Sequence, residues 1–394
     1  MGATGLIQAF DPRCVVDAIS RVVGGPAALH EPRFVGREWD YVKECIDTGW
    51  ISTAGKFVER FEDMLVEQTG VGHAIAVVNG TAALHSCLML VGVGQDDEVV
   101  IPALTFAATA AAVAYCGAIP HFADSCPNTL GLDPAKLDAW LSDVGRRQDG
   151  KLVNRLTERR IAAVVCMHTY GHPVDLDALV EVCNRHGLPL VEDAAESLGT
   201  TYKGRHTGNY GVVSAVSFNG NKIVTTGGGG VILTNDPDLA RRAKHLTTTA
   251  KLPHRWEFSH DMVGYNYRMP NINAALGCAQ LERLPEIVEA KRLLAARYDQ
   301  AFAGLGGVRF FTEPGFARSN YWLNVILLDR AQADKRDTLL EMLNDAGYMS
   351  RPAWVLMSRL PPYAEGPRMD VSVAEDIYDR LINIPSSPFL VDPR

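Results

Sequence analysis

Lys222 lies in the run SFNGNKIVTTGGGG, residues 217–230, between the apolar segments VVSAV and VILTN. Upstream, the hydrophobic run LPLVED ends in Asp193. A lysine amine on a tight loop can trap a carbonyl as a Schiff base. A carboxylate at a strand end can keep a pyridine nitrogen protonated, so that the ring accepts electrons. Those are two of the parts that pyridoxal 5'-phosphate requires, and the pair makes an enzyme the leading reading. A surface-loop lysine is the ordinary alternative, and the glycine- and threonine-rich setting of Lys222 argues against it. Asp193 could instead cap the segment AAESLG. A buried aspartate still needs a partner, and a pyridinium N–H is a suitable one. Glu196, three residues on, reads as a substrate contact or as the second half of a capping box.

A phosphate needs its own cradle. NGTAAL, residues 79–84, opens a helix directly after an apolar strand. Gly80 permits close backbone approach, and Thr81 and Ala82 can aim N–H groups at a dianion on the helix N-terminus. An Asn-Gly turn capped by Thr81 is the plainer reading, but the presence of Lys222 and Asp193 favours the phosphate. Gly227–Gly230 are not followed by GK[ST], so they read as a tight turn rather than a P-loop. His168 and His172 stand four apart, but Gly171 and Pro173 interrupt any helix there and no third ligand is near, so no metal is expected. Asp96, Asp97 and Glu98 read as a solvated turn before a strand.

These residues sit in a chain that alternates strands and helices. Residues 38–69 have helical periodicity. Strands are expected at 73–78, 97–101, 119–124, 161–167 and 188–193, with helices at 134–143 and 175–186 and after the first two strands. That order predicts an α/β fold with a mostly parallel sheet and a ligand site at the strands' carboxyl ends. A long helical stretch is expected over 271–303. The divisions expected are an N-terminal segment (1–37), a large domain (38–303) and a small C-terminal α+β domain (304–394).

The 394 residues are 47% hydrophobic, enough for a sizeable core, and the net charge of −8 disfavours nucleic acid. The eight scattered cysteines include no CxxC pair, which argues against zinc or a disulfide framework and for a reducing compartment. No apolar stretch is long enough to span a membrane, and the N-terminus resembles neither a secretory signal nor, at Gly2, a myristoylation site. A cytoplasmic location is expected.

The ordered set TGWIST (48–53), NGTAAL, PALTFAATA (102–110), MHTYGHPVD (167–175), VEDAAES (191–197), SFNGNK, TTGGGG and GYNYRMPNINAALG (264–277) resembles the DegT/DnrJ/EryC1/StrS sugar aminotransferases. The likeness covers about residues 33–387. It implies the fold-type I architecture of pyridoxal-phosphate-dependent transferases. SFNGNKIVTTGGGG, HLTTTAK (245–251) and RSNYWLN (318–324) resemble most the subgroup that supplies bacillosamine and legionaminic acid pathways.

The resemblance implies that Lys222 is the catalytic lysine, carrying the proton between substrate carbon and cofactor. It implies that Phe106 stacks on the pyridine ring, that Ser217 bonds the phosphate, and that Asn266 reaches the phosphate of a neighbouring subunit. Shared active sites and a homodimer follow. Trp50 and Ser52 would border the sugar, as would Glu196. Asn320, Tyr321, Trp322 and Arg351 are candidates for nucleotide or sugar contact, although RPAW and SNYWLN could equally be packing. The implied reaction moves an amino group from L-glutamate to C4 of a nucleotide-linked 4-keto-6-deoxy-N-acetylhexosamine, UDP-linked by preference. Other keto sugars (GDP- or dTDP-linked, at C3 or C4) stay open, as does a non-catalytic regulatory protein of this fold. Sugar dehydration is disfavoured, because relatives that dehydrate carry histidine in place of the lysine. The absence of G-x-G-x-x-G after the first strand disfavours a nicotinamide dehydrogenase.

Overall fold

The computed structural model describes residues 10–391. The reading of Gly2 and the other residues before 10 falls outside them. Three helices come first: α1 (Arg13–Val23), α2 (Glu38–Thr48) and α3 (Lys56–Thr69). Then follow β1 (His73–Val77), α4 (Gly80–Leu90), β2 (Glu98–Pro102), α5 (Ala107–Tyr115), β3 (Ile119–Ala123) and α6 (Pro134–Val144). Next are β4 (Gly145–Gln148), β5 (Lys151–Asn154), β6 (Arg160–Met167), α7 (Leu176–His186) and β7 (Leu190–Asp193). A short pair, β8 (Thr201–Tyr202) and β9 (Arg205–His206), precedes β10 (Val213–Ser217) and β11 (Gly230–Thr234). Helices α8 (Pro237–Thr247), α9 (Asn271–Glu282) and α10 (Leu284–Phe302) lead into β12 (Val308–Phe310), β13 (Ala317–Arg318) and β14 (Asn324–Leu328). The chain closes with α11 (Arg336–Asp345), β15 (Arg351–Pro352), α12 (Ser372–Arg380) and β16 (Leu381–Ile384).

The large sheet runs in the order β1-β11-β10-β7-β6-β2-β3, with the β4–β5 hairpin paired to the start of β6. Strands β10, β7, β6, β2 and β3 are mutually parallel, and β11 is antiparallel to both its neighbours. Helices cover both faces, which is why RIAAVVCM in β6 is apolar and buried almost throughout rather than alternating. Val99 and Ile101 of β2 pack into one core and Val100 into the other, beside Leu137 of α6 and Leu179 of α7. A third core joins α1 and α10 to the four-stranded sheet β12-β14-β16-β15, through Ile19, Leu294, Tyr298 and Ile326.

The mostly parallel α/β sheet matches the expectation. Three details differ. The stretch 271–303 is two helices, broken at Arg283 with Pro285 in the first turn of the second. The β4–β5 hairpin was not foreseen: β4 is the polar run GRRQ and β5 brings only Leu152 and Val153 to the core, but Asp149 and Gly150 both take positive φ (50° and 75°), as a two-residue hairpin turn demands. Glu98 is corrected from a solvated turn residue to a buried one. Its carboxylate accepts hydrogen bonds from His121 Nδ1 at 2.8 Å, Asn154 Nδ2 at 2.9 Å and the Thr157 hydroxyl. Asn154 and Thr157 come from that hairpin and the turn after it, so the groups that solvate Glu98 are protein groups.

Candidate active site

Parallel strands end on one side of the sheet, and the residues just beyond those ends meet. Met167 closes β6, Asp193 closes β7 and Ser217 closes β10, with Asp193 in register between Met167 and Ala215. Together with Gly80, Thr81, Phe106, Glu196, Lys222, Trp322 and Trp354 they line a cavity of about 320 Å³.

Lys222 reaches this cavity from the loop after β10. Phe218 closes the loop: its N–H donates to Gly229 O at 2.9 Å and its carbonyl accepts from Thr226 N at 3.0 Å. The Phe218 ring is buried edge-on against Phe61 at 5.0 Å. Lys222 Nζ then meets two partners. It donates to Glu196 Oε1 at 3.1 Å and lies 3.9 Å above the Trp322 ring centroid. Trp322 is itself tied to the loop, its indole N–H donating to Asn221 O at 2.7 Å.

Glu196 is 2% exposed, and its second oxygen accepts from Tyr170 N at 2.8 Å. Tyr170 adopts φ 58°, a left-handed conformation costly for a non-glycine residue, and this turn aims its N–H at the carboxylate. Burial pushes the Glu196 carboxyl up to about 7, against the attraction of Lys222. Asp193 is also raised by burial, and the Thr109 hydroxyl, the Ala195 N–H and the charge of Lys222 oppose the rise. Thr109 Oγ1 donates to Asp193 Oδ2 at 2.8 Å, and Ala195 N donates to Oδ1 at 3.2 Å. The neighbouring Glu192 points to the other side of the strand. There it accepts from His168 and from the N–H groups of Gly208, Tyr210 and Gly211, a structural anchor.

The mouth of α4 is built for close contact. A Cβ on Gly80 would lie 2.7 Å from Ser217 Cβ, and one on Gly230 would lie 2.3 Å from Asn79 O. The glycines therefore let the helix start press against β10 and β11. Asn79 caps α4, its side chain accepting from Ala82 N at 2.8 Å. Ala82 is thus corrected from a phosphate contact: its N–H is already taken. Gly80 and Thr81 face the cavity with Ser217.

A buried carboxylate at one end of the cavity, an amine beside it and a helix N-terminus at the edge are groups that could hold pyridoxal phosphate: Asp193 its ring nitrogen, Lys222 its aldehyde, and Gly80, Thr81 and Ser217 its phosphate. Phe106, half exposed and edge-on to Trp354 at 6.0 Å, supplies an aromatic wall.

Other expected contacts fall elsewhere. The Asn320 side chain is buried and fully used: Nδ2 donates to Glu196 O at 2.8 Å and Leu198 O at 2.9 Å, while Oδ1 accepts from Trp322 N at 2.8 Å. Tyr321 is packed in the third core, stacked on Phe310 and edge-on to His172. These two are corrected from ligand contacts to internal packing, because the turn that aims Trp322 at the cavity points its neighbours away from it. Arg351 lies in an adjoining hollow that shares Asn221, Trp322 and Trp354 with the cavity. Trp50, Ser52 and Asn266 are exposed and do not line this chain's cavity. His168 and His172 serve different partners, Glu192 and Ser319, and among the described residues no three metal-ligating side chains gather. Thr109 and Tyr170 were not singled out by sequence; each lies inside a quoted motif, but only the fold shows their reach.

A family model described as the DegT/DnrJ/EryC1/StrS aminotransferase family matches residues 33–393. A protein named GDP-perosamine synthase from Caulobacter vibrioides is 40% identical over 364 residues, covering 92% of this chain and 93% of the relative. EpsN of Bacillus subtilis, named a putative pyridoxal phosphate-dependent aminotransferase, is 38% identical, covering 91% of this chain and 90% of its own. The aminotransferase TlmJ from Streptoalloteichus hindustanus has a similar crystal structure: TM-score 0.84, 31% identity, covering 94% of this chain and 95% of that one.

Proposed function

The chain belongs to the DegT/DnrJ/EryC1/StrS aminotransferase family and is a pyridoxal-phosphate-dependent sugar aminotransferase; from that premise we propose that it transfers an amino group from L-glutamate to C4 of a nucleotide-linked 4-keto-6-deoxyhexose. The observation that carries the reading is the Lys222–Glu196 contact of 3.1 Å in the cavity that Asp193 closes.

Bound pyridoxal phosphate supplies the electron sink that stabilises a carbanion beside the transferred nitrogen. The chain's residues do the rest. Asp193 receives the ring N–H, buried and held by Thr109 and Ala195. Gly80, Thr81 and Ser217 receive the phosphate. Lys222 is the amine that would hold the cofactor's aldehyde carbon and, when free, would carry the proton at the substrate carbon. Glu196 accepts a hydrogen bond from Lys222 Nζ, and above about pH 7 it does so as a carboxylate. Trp322 covers the amine on one side.

The names of the relatives favour a GDP-linked sugar. A UDP-linked 4-keto-6-deoxy-N-acetylhexosamine is the second reading, supported by the motifs 217–230, 245–251 and 318–324. We also propose a homodimer with shared sites. Asn266 is exposed and off its own chain's cavity, and the loop leading to it carries Trp256, Phe258 and Val263, which are 73%, 75% and 80% exposed. Apolar surface of that kind calls for a covering partner.

The test is a panel of GDP-, UDP- and dTDP-linked 4-keto-6-deoxy sugars, with and without the acetamido group, incubated with L-glutamate and read by mass. A 4-amino product from the GDP sugar supports the first reading, and one from the UDP acetamido sugar alone moves the assignment to the second. Lys222→Ala should lower turnover by on the order of a thousandfold or more; near-normal activity would refute the role of Lys222.

A further inference from the structure

Asp193 is held by one side-chain hydrogen bond among the described residues, and it comes from Thr109, which the sequence reading did not single out. Thr109 Oγ1 lies 2.8 Å from Asp193 Oδ2, and Thr105 Oγ1 lies 2.7 Å behind Thr109 Oγ1. All three residues are buried, Thr105 and Thr109 completely. A carboxylate only accepts, so Thr109 must give its single proton to Asp193. Thr105 has one proton, and Thr109 Oγ1 at 2.7 Å and Met167 Sδ at 2.8 Å compete for it; the hydroxyl oxygen is the stronger acceptor. With that proton on the Thr109 side, two hydroxyl dipoles line up toward the carboxylate. Aligned hydrogen bonds in a dry interior reinforce one another.

We propose that Thr109, backed by Thr105, is the positioning residue of Asp193: it fixes the plane of the carboxylate and directs a hydroxyl dipole at it, so that the remaining lone pairs face the cavity. The geometry supports this in two ways. Ala195 N–H, the other donor, is longer at 3.2 Å and engages the opposite oxygen, so the two donors together set the plane. Phe106 stands at the N-cap of the same helix, so the first turn of α5 presents both the aromatic wall and the hydroxyl. The ionisable groups that face Asp193 from the other elements are Lys222 after β10, His168 after β6, Glu196 after β7, and the thiols of Cys87 in α4 and Cys166 in β6. Lys222 and His168 favour its charge, Glu196 opposes it, and burial pushes both thiols up, leaving them neutral. None of the five substitutes for a bond to Oδ2.

The inference rests on the proposed role of Asp193 toward the ring nitrogen, and the test separates the two. Holoenzyme carrying Thr109→Val, Thr109→Ser, Thr105→Val or Asp193→Asn would be followed by the pH midpoint of its pyridoxal phosphate absorption band and by cofactor dissociation at equilibrium. A ring nitrogen less firmly protonated repels a second proton less, so the midpoint should rise. For Thr109→Val we expect a rise of about half a pH unit or more and amine transfer from glutamate about tenfold slower. Thr109→Ser should restore both values, and Thr105→Val should give a smaller shift of the same sign, which tests the relay even if Thr109→Val fails to fold. An unmoved midpoint in Thr109→Val or Thr105→Val, with only the melting temperature lowered, would make the threonines mere packing and overturn the proposal. If Asp193→Asn also left the midpoint in place, the role of Asp193 itself would fall.

Discussion

Lys222 and Glu196 form an ion pair in which the acid is the buried member. Burial lifts the Glu196 carboxyl from its ordinary 4.5 to about 7, which corresponds to about 3 kcal/mol of folding stability. The folded form holds its proton more tightly than the unfolded chain does. Its contribution is therefore full below about pH 4.5 and is lost as pH rises toward 7. Glu196→Gln resembles the protonated acid at every pH. Cofactor-free Glu196→Gln should thus melt near the parent at pH 5 and at a higher temperature at pH 8. A difference that did not grow with pH would refute the buried-acid account. Activity should move the other way, because the variant removes the carboxylate that faces Lys222.

The elements around the site leave little slack. Gly80 opens α4 where a Cβ would press on Ser217, so Gly80→Ala forces the helix start away from β10. We expect it to cost about 1–3 kcal/mol and to weaken cofactor binding more than sugar binding, measured by calorimetric melting and by dialysis against pyridoxal phosphate. Asn320 is the clamp between the segment after β7 and the turn that carries Trp322. Asn320→Leu leaves two carbonyls and one N–H without their partner, at about 1–3 kcal/mol for each group left unpaired. Intrinsic fluorescence should report a displaced Trp322. A variant as stable as the parent would show that water replaces the amide.

At the scale of the whole molecule, the proposed pairing of two chains has a sharp consequence. If Asn266 serves the partner's site, Lys222→Ala and Asn266→Ala chains are each impaired in both sites of their own dimer. A mixed dimer assembles one site with both residues intact. Co-refolding the two variants should restore roughly a quarter of parental activity, assuming random assortment. No restoration, with a dimer seen by light scattering, would confine Asn266 to its own chain. A monomer at micromolar concentration would remove the shared site altogether. Among the described residues no helix is long and apolar enough to cross a membrane.

The alternation of apolar strands with helices determined the mostly parallel sheet, because strands buried on both faces must be apolar throughout, and such runs are visible in sequence. That Lys222, Asp193 and Gly80 would share one cavity was legible for a related reason: each sits at or just beyond the end of an element, and clefts of open α/β sheets lie at those ends. What sequence could not determine is which side of a turn faces the ligand. Asn320, Tyr321 and Trp322 are consecutive and each carries a hydrogen-bonding side chain, yet only Trp322 meets Lys222, because Tyr321 takes φ 48° and turns the chain between them. Ala82 lost its N–H to Asn79 through a cap that Ser, Thr, Asp or Asn could each have made from a neighbouring position. Glu98 and Thr109 depend on partners 23 to 84 residues away, His121 and Asp193 among them, and only tertiary packing brings those together.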